Sequence, residues 1–349
     1  MPIDIGCQPA INGPMEPGNN VGAQLVPPFR DRRTGLIVFG IIEILIGGLC
    51  ALFIPLMLLG QAMAAKETGA ESQLQFIIPA LAIYGIAAIV LIVLGTGSIR
   101  TRRWARALSL IVAWSWLVIG TFAAVFMAIM FPRMLGQASP AGQDVPASAR
   151  MIGMIIGLLV VAFFFVAVPA ILVIFYQSKH VKATCEARDP IPGWTDRVPL
   201  PVLAVSLWLA FGAATMLFMP AAYHGVAPFF GVLISGLPGT IFFLAFCAIW
   251  FYCAWAIYQL KVVGWWLLLL TLIVGGLSNV LTFTRVDITE MYRLMGYSQA
   301  QLDQMQRYNY FKGGILIFGA LIGFLPTLGF LLYVKKFLRK SANAKVVAA

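Results

Sequence analysis

The stretch Leu36-Ile37-Val38-Phe39-Gly40-Ile41-Ile42-Glu43-Ile44-Leu45-Ile46-Gly47-Gly48-Leu49-Cys50-Ala51-Leu52-Phe53-Ile54-Pro55 decides the fold. It is twenty residues long and carries one charge. About 20 mostly apolar residues are what a helix needs to cross a bilayer. Further runs of this kind follow, and the candidate spans are 35–60, 75–98, 104–131, 151–177, 201–222, 228–258, 263–284 and 312–337. Within the long sixth run, Pro238 in Ser-Gly-Leu-Pro-Gly reads as a break, a re-entrant segment or the first turns of the span.

Composition agrees. Of 349 residues, 61% are hydrophobic and 11% charged. A soluble protein of this length carries about 25% charged residues, and no soluble core hides this much apolar surface. The formal charge of +11 raises nucleic acid as a partner, but that needs clustered basic residues on a folded soluble face. Here they sit in short segments between apolar runs. The expected surroundings are the lipid bilayer and not nucleic acid.

The basic residues also orient the chain. With the N-terminus inside, seventeen Lys and Arg fall in cytoplasmic segments and seven on the other side. That asymmetry predicts cytoplasmic N- and C-termini and an even number of spans. The expected organisation is a cytoplasmic tail of residues 1–34, disordered by composition and without a signal peptide, then a first four-helix membrane repeat at 35–177. A cytoplasmic linker at 178–200, a second four-helix repeat at 201–337 and a basic cytoplasmic tail at 338–349 complete it. The five cysteines fall in apolar runs or predicted cytoplasmic segments, so no structural disulfide is expected.

The repeat rests on three ordered matches. Gly47 and Leu52-Phe53-Ile54-Pro55 correspond to Gly212 and Leu217-Phe218-Met219-Pro220. Trp104 with Thr121-Phe122 corresponds to Trp265 with Thr282-Phe283. Gly157, Pro169 and Tyr176 correspond to Gly314, Pro326 and Tyr333. The fold class expected is therefore an all-α polytopic transmembrane bundle of about eight spans, arranged as a tandem four-plus-four repeat. Four spans per unit give parallel repeats related by an axis along the membrane normal.

Two short stretches, Ile99-Arg100-Thr101-Arg102-Arg103-Trp104-Ala105-Arg106 and Asp189-Pro190-Ile191-Pro192-Gly193-Trp194-Thr195-Asp196, resemble turns of uncharacterised bacterial polytopic membrane proteins. The resemblance implies a bacterial inner (plasma) membrane and brings no function.

Glu43 is the one acidic residue well inside a span, about 12 Å along its helix. An intramembrane carboxyl is costly, and it marks either a cation or proton site or an interhelical hydrogen bond. At offset 165 its counterpart is Trp208, so the site is not duplicated. Ser278, Thr282 and Arg285 share one face of the seventh span, with Asn279 beside them. They form a candidate outer polar site with His224, or they bond between helices. The glycine pairs Gly153 with Gly157 and Gly319 with Gly323 read as close helix packing, inside one chain or between chains.

The 178–200 loop, with His180, Cys185, Glu186, Asp189, Trp194 and Asp196, reads as a partner-docking segment or as a helical extension of span four that ends at Asp189-Pro190. In segment 285–311, Ile288, Met291, Tyr292 and Met295 lie on one helical face, Gly296 is a helix stop, and Ser298 with Gln301 caps a second helix carrying Leu302, Met305 and Tyr308.

Nothing in the chain has the spacing of a zinc site, a hydrolase nucleophile or a phosphate loop. His180 and His224, the two histidines, fall on opposite predicted sides. No catalytic residue, cofactor or metal is expected, and oligomeric state is open. The reading is a non-catalytic scaffold, assembly or sensing protein, with a small-molecule or ion transporter, its site between the repeats, as the alternative.

Overall fold

A computed structural model describes residues 29–68, 74–137, 147–299, 301–303 and 323–339. The elements are α1 (Arg33–Thr68), α2 (Leu74–Ile99), α3 (Arg103–Gln137), α4 (Ala147–Ala162), α5 (Val168–Gln177), α6 (Lys179–Arg188), α7 (Leu200–Met216) and α8 (Met219–Ala222). There follow β1 (Ala227–Phe229), β2 (Val232–Ile234), α9 (Gly236–Tyr258), α10 (Val262–Arg285), α11 (Ile288–Leu294) and α12 (323–339). A π turn at Phe163–Ala167 carries α4 into α5 as one rod. Six helices are long and apolar enough to cross a membrane: Arg33–Met63, Ala80–Ile99, Arg103–Ile129, Met151–Gln177, Gly236–Tyr258 and Val262–Arg285. Their exposed faces are rows of Leu, Ile, Val and Phe, which only lipid can cover at this density. The chain is an all-α multi-pass membrane protein.

Two apolar runs depart from expectation. The run 201–222 is broken: α7 stops at Met216 after 17 residues, and a turn at Leu217-Phe218 leads into α8. Pro220 gives the reason, because its ring cannot sit over the carbonyl of Met216 four residues back in a continuous helix. Residues 227–234, read as the start of the sixth span, form instead an antiparallel hairpin with Phe229 opposite Val232. Its two-residue turn, Phe230-Gly231, has φ of 43° and 93°, the left-handed pair that suits tight hairpins. Pro238 then lies in the first turn of α9. Of the run 312–337, only 323–337 falls within the described residues.

The α1–α2 pair is the most extensive helix contact among the described residues. A Cβ on Gly40 would lie 2.7 Å from the Gly95 carbonyl oxygen, and one on Gly95 2.5 Å from that of Gly40, so each backbone rests on the other. Gly153 and Gly323, by contrast, have nothing within 4 Å. Neither packs helices together within the described part of the chain, so the reading of packing inside one chain finds no support at these two positions; Gly319 lies outside the described residues.

The turns α2–α3 and α9–α10 are built alike. In the first, Thr101 N–H donates to Ser98 O and Arg102 N–H to Gly97 O, with Thr101 at φ 55°. In the second, Leu260 N–H donates to Ile257 O and Lys261 N–H to Ala256 O, with Leu260 at φ 58°. Both are Schellman endings that force a non-glycine residue into the left-handed region. Each is packed by a glycine against an alanine, with the two exchanged. A Cβ on Gly97 would come 2.6 Å from Cβ of Ala105, and one on Gly264 would come 2.6 Å from Cβ of Ala256.

Buried positions recur at matching spacing in the two halves. Leu36, Gly40, Glu43 and Gly47 on α1 match Val202, Ser206, Leu209 and Ala213 on α7. Ala88, Leu94, Gly95, Gly97 and Ser98 on α2 match Cys247, Cys253, Ala254, Ala256 and Ile257 on α9. Ala105 and Ser109 match Gly264 and Leu268, and Pro169, Leu172 and Tyr176 match Leu331, Val334 and Leu338. This register differs from the motif matches. Tyr176 is 0% exposed whereas Tyr333 is 47% exposed, and Trp265 aligns with Arg106 rather than Trp104. Glu43 aligns with Leu209, not Trp208.

Two cores result. Leu36, Leu110, Ala113, Leu172, Val173, Tyr176, Val181 and Cys185 form one. Val202, Leu203, Leu209, Ile257, Trp265, Leu268, Val334 and Leu338 are at the heart of the other. Ile111 of α3 enters the second core, and Trp208 Nε1 donates to Ser115 Oγ at 2.7 Å, so the halves meet at a packed seam.

Candidate functional site

Glu43 stands on the α1 face that Gly40 and Gly47 press against α2, which is why a carboxyl here is forced inward. It is 4% exposed. Facing it are Ser98 of α2, Ser109 of α3 and Tyr176 of α5, all 3% exposed or less. Ser98 Oγ donates to Glu43 Oε2 at 3.4 Å and shares a 2.9 Å hydrogen bond with Tyr176 Oη. A hydroxyl has one proton to give, so with Ser98 donating to Glu43 the Tyr176 O–H donates to Ser98. The Ser109 hydroxyl lies within polar range of both Glu43 and Tyr176, yet is buried without a hydrogen-bond partner. No basic side chain touches the carboxyl among the described residues. Four helices thus converge on one carboxyl and three hydroxyls.

The seventh-span stripe is used differently. Ser278 Oγ accepts from Phe230 N–H at 2.9 Å and donates to Pro228 O at 3.3 Å. Thr282 Oγ1 accepts from Gly231 N–H at 3.0 Å and donates to Ser278 O at 2.8 Å. Arg285 lays its alkyl chain over Gly231, where a Cβ would meet Cδ at 3.0 Å. Ser278 and Thr282 satisfy the backbone of the hairpin tip, which buried backbone groups require, and Arg285 covers it. Asn279 is exposed and donates to Gly275 O on its own helix at 2.8 Å. His224, at φ 52°, bonds through Nδ1 to Met295 O at 2.9 Å. The stripe and Glu43 belong to separate clusters.

Beside the hairpin, Asp287 caps α11 by accepting from Thr289 N–H, Gly296 takes φ 89° past its end, and Ser298 N–H donates to Gln301 Oε1 at 2.9 Å. This matches the sequence reading; Met305 and Tyr308 lie outside the described residues. Burial pushes the Tyr292 and Tyr297 hydroxyls above their ordinary range.

The opposite end of the bundle is basic and tied together by acids of the linker. Ser178 breaks the chain before α6, so Lys179–Arg188 is a separate helix and not an extension of span four, although Asp189 does close it. Arg102 pairs with Asp189, Arg103 with Glu186 and Asp196, and Arg188 with Asp31 at 2.9 Å. The Arg188 hydrogen bond holds the Asp31 carboxyl below its usual value. Arg30 N–H donates to His180 Nδ1, and Tyr258 Oη to Trp194 O. Cys185 is 1% exposed, and burial pushes its thiol up to about 11. It is an inert core residue, since the thiolate is the reactive form. Lys335 lies 4.1 Å over the Trp265 ring, bringing the C-terminal end of α12 to the same side.

Set against protein-family models, curated proteins and solved structures, the chain finds no match. Sequence reasoning found Glu43 from its charge. It missed Ser98, Ser109 and Tyr176, which are ordinary membrane-helix residues. The signal that finds them is the paired register of the two halves.

Proposed function

We propose that this is a non-catalytic integral protein of the bacterial inner membrane, a scaffold or sensor built by tandem duplication of a helical membrane unit. The matched Schellman turns, the exchanged Gly and Ala packing pair and the recurring buried positions support the duplication. Eight crossings follow when α7 with α8 and the segment ending in α12 each cross once. The basic end of the bundle supports cytoplasmic termini by the positive-inside rule.

The observation that carries the non-transporting reading is the fate of the seventh-span stripe. Ser278 and Thr282, which a substrate path between the units would need, are 4% and 0% exposed and bonded to the hairpin tip. The seam at Ile111 and Trp208 is packed with side chains. On the cytoplasmic side the 178–200 linker is a rigid platform for a protein partner, with Ile191 and Trp194 exposed beside its ion pairs.

Single cysteines at positions 43 and 278, in a cysteine-free background, test this with a membrane-impermeant thiol reagent applied to each side of sealed vesicles. The expected result is protection of position 278 from both sides and of position 43 from the outer side. Labelling of either position from both sides would replace the scaffold reading with alternating access.

A further inference from the structure

We propose that Glu43, Ser98, Ser109 and Tyr176 form a binding site for one hard monovalent cation, a proton or a sodium ion. The inference goes beyond the scaffold reading and holds whether or not the protein transports.

Three observations carry it. The first is the donor set. One carboxyl and three hydroxyls are all oxygen, and the ionised set has one negative charge. Hard cations take oxygen ligands, and a single positive charge neutralises this set. The second is an unmet valence. Ser109 Oγ is buried without a hydrogen-bond partner of good geometry, beside a carboxyl that accepts from the Ser98 hydroxyl at a long 3.4 Å. A buried carboxylate with so little compensation costs several kcal/mol, on the order of the burial penalty of an ion. A bound cation gives both groups a partner.

The third is the contrast with the other half. At the matching register stand Leu209, Ile257, Leu268 and Leu338, four hydrocarbon side chains in one continuous core. The frame is therefore filled by apolar residues where no ligand is needed, and the polar set is an addition to it. Among the described residues, Tyr176 is the other titratable group in contact with Glu43. Arg106, one turn from Ser109, is buried near Cys185, Glu186 and Asp196, and Cys185 lies in the same cluster as Tyr176.

When a proton is the ligand, it resides on a Glu43 carboxyl oxygen and no bond other than O–H forms or breaks. When sodium is the ligand, Glu43 is ionised and the hydroxyl oxygens complete the shell.

Difference infrared spectroscopy on the full chain in lipid nanodiscs, wild type against Glu43→Gln, reads the protonated carboxyl C=O band directly. A band that disappears on raising pH and also on adding NaCl at fixed pH, with choline chloride as control, identifies a sodium site in exchange with protons. A band that titrates with pH and ignores sodium identifies a proton site. In either case Ser109→Ala is expected to move the midpoint by about threefold or more in cation concentration. A spectrum for Glu43 that is invariant to both pH and sodium between about pH 5 and 9 overturns the proposal, as does a midpoint that Ser109→Ala leaves unmoved. Glu43→Asp, which keeps a carboxyl but shifts its band, replaces Glu43→Gln if that variant does not fold.

Discussion

The interiors of the two halves differ at four matched positions: Glu43, Ser98, Ser109 and Tyr176 in one, and Leu209, Ile257, Leu268 and Leu338 in the other. The turns that frame those positions are alike, with Thr101 and Leu260 both left-handed and a small-residue contact beneath each. A frame that folds with four hydrocarbon side chains does not require a carboxyl. In lipid, where polar groups cannot reach water, retaining one is expensive. On the proposal above, the Glu43 cluster is kept for the cation it binds, and the second half shows what the fold asks for without one.

The largest effect expected from breaking this contrast is at Leu209. Leu209→Glu places a carboxyl in a core with no hydroxyl partners. It should cost about 3–5 kcal/mol, the cost of an uncompensated buried charge, or abolish the monodisperse species in size-exclusion chromatography. A folded Leu209→Glu protein would show that the second core tolerates polarity and would remove the contrast.

Next in size is the packing beneath the second turn. Gly264→Ala drives a methyl into Ala256 and should lower stability by about 1–3 kcal/mol. Adding Ala256→Gly recreates the arrangement of Gly97 and Ala105 and should recover most of the loss. Thermal melts of both single variants and the double variant give the coupling; strict additivity would mean the two turns are not equivalent.

A smaller loss belongs to the hairpin that only the second half carries. Ser278→Ala or Thr282→Ala leaves a backbone N–H of Phe230 or Gly231 unpaired, at about 1–2 kcal/mol each. Limited proteolysis should then cut within 227–234. Unchanged protection would deny the stripe its anchoring role.

Smallest is the pairing of Asp31 with Arg188. The Asp31 value is depressed in the folded protein, so its contribution is present above the ordinary carboxylate range and is lost as pH falls through the folded value. Both side chains are about half exposed, so screening keeps this under about 1 kcal/mol. Arg188→Ala should flatten the acid limb of the melting curve only slightly, and a large change there would give the basic end more weight than surface pairs carry.

The class of fold was legible because hydropathy and charge placement follow from the bilayer itself. Glu43 was legible for the same reason. The hairpin was not, since Phe229, Phe230, Val232, Leu233 and Ile234 read as span residues. A Phe-Gly turn also lacks the Asn or Asp that usually announces two left-handed residues. The proposed duplication was legible only in outline. Gly, Pro and Trp are frequent in membrane helices, so Trp104 and Trp265, or Tyr176 and Tyr333, match in letters while facing different surroundings. Burial, which sequence letters do not carry, sets the register, and through it the three hydroxyls around Glu43 come into view.

The most direct test of the central claim is the melting temperature of Glu43→Leu in the detergent used for the wild type, at neutral pH without sodium. If the polar set is an addition to a hydrocarbon-tolerant frame, the variant melts at or above the wild-type temperature, because Leu gives this half the side chain its counterpart already uses. A fall as large as that of Leu209→Glu would contradict the account, making the carboxyl part of what holds the first half together.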